Sequence, residues 1–335
     1  MDNKSEVLLR QADLFKGKIL LVNPPQDQLY QHLDAEVAIW TWNFADYQYF
    51  QKTGIDVVFA TQPNDSMFDQ VIIFVPKAKE QLLYVLEQCA ARLGQAKHIF
   101  LVGEKKAGIE GAAKLLNTLG KSIKLDSARH CQLWQLTLEK TVTTQPLSAW
   151  LKHYTYTLNH HTLKICALAG VFSQKNLDIG TQQLLPFLAQ VKTGEILDFG
   201  CGAGIIGLVL AKLNPNHHIT AADIDAFALK STELTFAENG LSTQLKCQAI
   251  TDIQDIQQQF DAIVSNPPFH QGVQTHYQAS ENLCHFAKQH LQPQGELWIV
   301  ANRFLNYPLL IEQSFGQCQT KIDSHGFKVL YAKNT

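Results

Sequence analysis

The apolar run FDAIVS (260–265) ends in Asn266, Pro267, Pro268 and Phe269, residue types suited to holding a planar amine. Proline fixes φ and has no backbone N–H, so two in succession set a turn whose carbonyls face outward as acceptors. Asn266 adds a side-chain acceptor and Phe269 a stacking face. An exocyclic amino group could then donate to Asn266 and to the Pro267 carbonyl while its ring lies on Phe269. By itself the motif reads equally well as a proline-rich turn.

A second constellation lies upstream in EILDFGCGAGIIGL (195–208), where an apolar strand leads through Asp198 to Gly200, Cys201, Gly202 and Gly204 and then into a helix-forming run. Glycines there let the backbone turn sharply and approach a ligand closely, with helix N–H groups pointing at it. The GxGxxG spacing at 202–207 also fits a dinucleotide site, while the preceding acid and the extra Gly200 favour S-adenosylmethionine. The next strand ends at Asp223 and Ile224, and a carboxylate at that place can accept hydrogen bonds from ribose hydroxyls. Asp225 competes for the role, although it also suits a helix N-cap. Thr251 and Asp252 follow the third strand, where an adenine edge would lie.

These residues need strands and helices in strict alternation to bring them together. From 195 onward EILDFG, HITAADI, LKCQAI, FDAIVS and GELWIVAN read as strands, separated by helical stretches; a final GFKVLYA could insert antiparallel. That rhythm predicts a doubly wound, mostly parallel α/β sheet with its ligand at the carboxyl ends of the strands. The first 140 residues carry a quieter version, with KILLVN, IDVVFA, FDQVIIFV and HIFLVGE as strands. FDQVIIFVPK (68–77) aligns without gaps on FDAIVSNPPF (260–269), which suggests an internal duplication whose first copy has lost its working residues. The expected organisation is a degenerate domain over 1–140, a linker and lead-in over 141–165, and a catalytic domain over 166–335.

Composition narrows the function further. Net charge is -2, with 16 basic against 16 acidic residues in 1–150 and 12 against 14 in 151–335, so any nucleic-acid surface must be a local patch. The densest basic stretch holds Lys105, Lys106, Lys114, Lys121, Lys124, Arg129 and His130. The 7 cysteines are scattered without a CxxC pair, which argues for a reducing compartment and against a zinc site. The N-terminus lacks an apolar signal core, and a soluble, cytoplasmic protein without a membrane segment is expected. A second Asn-Pro-Pro at 23–25 stands where cofactor binding would need glycines. GEKKAG (103–108) mimics a phosphate loop but lacks its Lys-Ser/Thr.

Taken together, GVFSQKNLDIGTQQLL (170–185), LDFGCGAGIIGL, SNPPFHQG (265–272) and GELWIVANRFLNYP (295–308) resemble the bacterial ribosomal RNA guanine-N2 methyltransferases. FLVGEKKAGI (100–109) and LDSARHCQL (125–133) resemble the small-subunit members, whereas the large-subunit members share only the second-domain motifs. The resemblance implies two tandem Rossmann-like class I methyltransferase domains, the first without cofactor and helping to grip RNA. It implies S-adenosylmethionine as methyl donor, 16S rRNA or the small ribosomal subunit as partner, no metal, and a monomer. It places Phe172, Asp178, Gly180 and Thr181 near the cofactor. Lys105, Lys106 and Arg129 of the basic stretch, and His270 beside the Asn-Pro-Pro-Phe motif, are candidate RNA contacts by residue type and place. The family more often has an Asn near Thr251, where this chain reads AITDI (249–253). Alternatives are a large-subunit enzyme, an enzyme acting on a protein glutamine or on adenine N6, and a noncatalytic assembly factor.

Overall fold

A computed structural model describes residues 1–267 and 274–335, without the side chains of 95–96 and 274–277. Pro268, Phe269 and His270 lie outside the described residues. The chain divides into two units, Met1–Trp150 and Leu151–Thr335.

In the first unit the elements run α1 (Asn3–Leu9), β1 (Lys18–Val22), β2 (Glu36–Thr41), α2 (Phe44–Gln51), β3 (Asp56–Phe59) and β4 (Phe68–Phe74). They continue with α3 (Lys79–Ala90), β5 (Leu93–Glu104), α4 (Ile109–Leu115), β6 (Gly120–Ala128) and β7 (Cys131–Leu138). The second unit opens with the antiparallel hairpin β8 (Lys152–Leu158) and β9 (His161–Ala167), then α5 (Ile179–Leu184), β10 (Glu195–Phe199), α6 (Ile205–Leu213), β11 (His218–Asp223) and α7 (Ala226–Glu238). It closes with β12 (Leu245–Ala249), β13 (Phe260–Ser265), α8 (Gln274–Phe286), β14 (Leu291–Asn302), α9 (Tyr307–Phe315), β15 (Gln319–Ser324) and β16 (Phe327–Lys333).

Each unit holds a seven-stranded sheet, and the two have one topology: β3-β2-β1-β4-β5-β7-β6 and β12-β11-β10-β13-β14-β16-β15. The first five strands of each are parallel, and β7 or β16 runs antiparallel between them and the edge strand β6 or β15. Central strands such as KILLV and EILDF are apolar nearly throughout, because helices cover both faces. The likeness extends to small devices. Gly17 (φ 79°) and Gly194 (φ 138°) precede the central strands, and no side chain fits at either because a carboxylate, Asp69 or Asp261, sits against it. Those carboxylates accept from the first strand N–H groups, Lys18 at 2.9 Å and Glu195 at 3.1 Å. Even the irregular pairings match, at Phe68 to Gln70 on β5 and at Phe260 to Ala262 on β14.

The stretch 141–165, without periodicity in the sequence, forms most of the hairpin β8–β9. The edge of β9 is closed by a row of polar side chains on α7 rather than by another strand. Leu168 N–H donates to Ser231 Oγ at 3.0 Å, Cys166 N–H to Thr235 Oγ1 at 3.0 Å and Lys164 N–H to Asn239 Oδ1 at 3.1 Å. Residues 231, 235 and 239 are spaced by four and so lie along one helix face.

Candidate active site

β10 and β13 are paired in parallel with Phe199 opposite Ser265, and strand order reverses between them, the place where open α/β sheets hold ligands. Ser265 Oγ donates to the Phe199 carbonyl at 2.6 Å, locking the two strand ends together. The residues that follow, Gly200 on one strand and Asn266 on the other, are therefore neighbours at about one strand spacing, ~5 Å.

The glycine loop is shaped from below by carboxylates. Asp198 is completely buried and accepts from Gly207 N–H at 3.0 Å, fixing the first turn of α6. Its other oxygen has no partner among the described residues, and burial pushes the carboxyl up to about 7. Asp223 accepts from Gly202 N–H and from Asp225 N–H, each at 3.0 Å, and burial raises its pKa. Asp225 caps α7 by accepting from Phe227 N–H at 2.7 Å; burial, reinforced by the Asp223 charge, pushes it up to about 7. None of the three carboxylates forms an ion pair among the described residues.

Gly200, Cys201, Gly202 and Gly204 occupy this turn, and the glycines adopt φ of 72°, 56° and 80°. Gly204 touches Thr232 of α7, where a side chain would collide at 2.8 Å. Among the described residues Gly202 faces open space, bounded by the Phe172 carbonyl 3.9 Å from where a Cβ would lie. Phe172 itself is exposed, and Ile224 is partly buried just beyond Asp223. Cys201 is buried, its sulfur accepting from Thr232 Oγ1 at 3.4 Å.

Asn266 is held from behind. Its Nδ2 donates to Asp178 Oδ2 and to Thr181 Oγ1, both at 2.9 Å. A carboxylate can only accept, so the amide nitrogen must face Asp178 and the oxygen must face the other way. That oxygen is buried and has no partner among the described residues. Asp178 also caps α5 by accepting from Thr181 N–H at 2.9 Å. Gly180 packs against the Phe327 ring and Asp178, leaving no room for a Cβ. Asp178, Gly180 and Thr181, linked by resemblance with the cofactor, thus converge on Asn266. Pro267 is buried beside it, and Pro268 and Phe269 fall outside the described residues.

Other expected residues are engaged elsewhere. Thr251 Oγ1 donates to Asp255 at 2.7 Å, while Asp252 caps the next turn and accepts from Asn282 Nδ2 at 2.7 Å. In the first unit, Lys105 N–H donates to the His130 carbonyl at 2.9 Å, so the turns carrying Lys105–Lys106 and Arg129–His130 share one corner. All four side chains are exposed, with Arg129 paired to Glu6 at 3.0 Å. Among the described residues no cluster of His, Cys, Asp and Glu could hold a metal ion, and no helix is long and apolar enough to cross a membrane.

Comparison with known proteins agrees with this architecture. The family model described as "Methyltransferase small domain" matches residues 162–331, and "Methyltransferase small domain N-terminal" matches 5–154. The ribosomal RNA small subunit methyltransferase C of Acinetobacter baylyi is 60% identical over 338 residues, covering 100% of both chains. The protein of that name from Stutzerimonas stutzeri is 45% identical over 99% of each. The chain belongs to the ribosomal RNA small subunit methyltransferase C family. The family's fold is also that of a solved structure from T. thermophilus, described as a 16S rRNA N2 G1207 methyltransferase in complex with AdoMet and guanosine. It superposes with a TM-score of 0.84 at 24% identity, covering 99% of this chain and 91% of that one. The two family models fall on the two units, the methyltransferase small domain on the second and its N-terminal domain on the first.

Proposed function

We propose that the chain transfers the methyl group of S-adenosylmethionine to the exocyclic N2 of a guanine in 16S rRNA, at the nucleotide given for the T. thermophilus enzyme, G1207. The observation that carries this reading is the buried Oδ1 of Asn266, without a partner among the described residues and one strand away from the glycine loop. A buried acceptor without a donor costs about 1–3 kcal/mol, and an amino N–H of guanine would satisfy it.

The loop fits the methyl donor on two counts. Gly202 leaves space for a ligand, and Asp223 ends the second strand at the place of a ribose-binding acid. When bound, S-adenosylmethionine supplies a methyl group already activated by its sulfonium charge. Asp198 and Asp223 keep the loop backbone open toward it, and Asp178 does corresponding work for the acceptor. By drawing on the Asn266 amide hydrogen, the Asp178 carboxylate increases the negative charge on Oδ1. Oδ1 and the Pro267 carbonyl then hold the amino hydrogens so that the nitrogen lone pair points at the methyl carbon. Catalysis on this reading is positioning plus preorganised polarity. The guanine must leave its stack to reach Asn266, at a cost of about a few kcal/mol. The first domain grips the RNA backbone, with Lys105, Lys106, Arg129 and His130 as the local cationic corner.

Small subunits from a strain lacking the modification, incubated with the protein and labelled S-adenosylmethionine, test the proposal. N2-methylguanosine should be found by nucleoside mass spectrometry and should vanish with Asn266→Ala. Incorporation into adenine, or equal activity of the variant, would overturn it.

A further inference from the structure

We infer that Phe304 is a stacking shelf for an unpaired nucleobase of the substrate RNA next to the target guanine; the inference rests on the reading of the Asn266 site given above. Phe304 is 68% exposed, the highest value among the large apolar side chains described. It is not on a loose loop. The turn after β14 is tied by Leu305 N–H to the Asn302 carbonyl at 3.0 Å, by Arg303 N–H to the Gly326 carbonyl at 2.8 Å and by Arg303 Nε to Asp323 at 2.5 Å. Leu305 points inward and is buried, so the turn turns Phe304 outward on a rigid mount.

That mount stands beside the acceptor site. β14 is the parallel neighbour of β13, and both leave the sheet at the same edge. Asn302 pairs with Phe327, whose ring lies on Gly180, and Gly180 sits between the two residues that hold Asn266. Ile179, half exposed on the same turn of α5, extends the apolar rim. A guanine drawn out of its stack leaves adjacent bases with bare faces, and a fixed aromatic ring is the side chain that takes one up without regard to sequence.

The duplicated fold supplies the control. In the first unit the corresponding turn is closed by the same bond, Lys105 N–H to His130 carbonyl, and the residue in the place of Phe304 is Lys106. The turn therefore folds with a charged residue there, so its architecture does not require the aromatic ring.

Methyl transfer to a small-subunit RNA substrate by Phe304→Ala, Phe304→Leu and Phe304→Trp decides the matter. Phe304→Ala should raise KM for RNA about tenfold with kcat and methyl-donor affinity changed by less than about twofold; Trp should restore KM and Leu should not. An unchanged KM in Phe304→Ala, or rescue by Leu equal to that by Trp, would overturn the shelf. Should the wild-type protein transfer no methyl group to RNA, the reading of the Asn266 site fails. Fluorescence anisotropy with labelled RNA then judges the shelf alone: about tenfold weaker binding by Phe304→Ala supports it and equal binding removes it.

Discussion

In the first domain the residue after the central strand is Asn23, followed by Pro24 and Pro25; in the second it is Gly200, followed by Cys201 and Gly202. The backbone takes the same course in both. Asn23 (φ 54°) donates to the Trp40 carbonyl at 2.7 Å, and Gly200 (φ 72°) to the Ala222 carbonyl at 2.8 Å. What differs is what the loop offers. Pro25 has no N–H where Gly202 donates to Asp223, and the strand end beside it is Thr41 instead of a carboxylate. Leu21, buried, stands where Asp198 stands, and Phe74, buried, where Asn266 stands. Aromatic rings gather at the edge where the second domain keeps Ile224: Trp40 and Trp42 are 5.6 Å apart, and Phe44 and Phe59 are 5.2 Å apart. The strand beginnings, with Asp69 and Asp261, are alike in the two domains. The strand ends of the first carry uncharged residues where the second has carboxylates and an amide. Fold and chemistry are thus written at opposite edges of the same sheet.

Moving first-domain residues into the second domain should break this contrast in graded steps. Asn266→Phe, which imports Phe74, should lower kcat by about a hundredfold or more, since it removes the acceptor that orients the nucleophile. Stopped reactions with labelled donor would measure it, and donor affinity should hold. Asp223→Thr imports Thr41 and takes the charge-assisted partner from Gly202 N–H. Titration calorimetry should register a loss of donor affinity of about tenfold to a hundredfold.

A smaller effect concerns pH. Asp198 and Asp225 are pushed up to about 7 by burial, so each holds its proton more tightly in the folded chain than in the unfolded one. Without ligand, the second domain should therefore lose stability as pH rises from the ordinary carboxylate range, about 4, to about 7, and level off above it. The first domain, with Leu21 and Asn43 at those places, should show no such slope from this source. Hydrogen exchange at pH 5 and pH 8 would resolve the two, and Asp198→Asn should flatten the second domain's response. The smallest change is expected from Lys105→Ala with Lys106→Ala. RNA affinity should fall only a few-fold and the salt dependence by about one unit of slope per lysine, with donor binding untouched.

Glycines and prolines mark the carboxyl ends of the strands in the sequence. Gly200, Gly202, Asp223 and Asn266 are neighbours as the strand order implied, and Asp225 is the helix cap that its position suggested. The supports were harder to see. Asp178 reaches Asn266 across 88 positions, a contact that no local pattern encodes. The sequence likewise does not reveal that Thr251 and Asp252 bond to Asp255 and Asn282. β2 was passed over, as were the hairpin β6–β7 and strand β15. β6 and β15 are edge strands with charged residues at short intervals and little apolar alternation.

Helix α7 imposes a particular constraint on how this chain can diverge. Thr232 Oγ1 donates to the Gly202 carbonyl at 3.0 Å, while Ser231 and Thr235, one residue before it and one turn after it, hold the edge of β9. One helix therefore indexes two separate segments, and the indexing depends on rotational phase. Insertion or deletion of a single residue ahead of position 231 would turn these side chains by about 100° and release the ligand loop and the hairpin at once. Substitutions can accumulate along the outer face of α7 one at a time, but its length is expected to be frozen among working relatives.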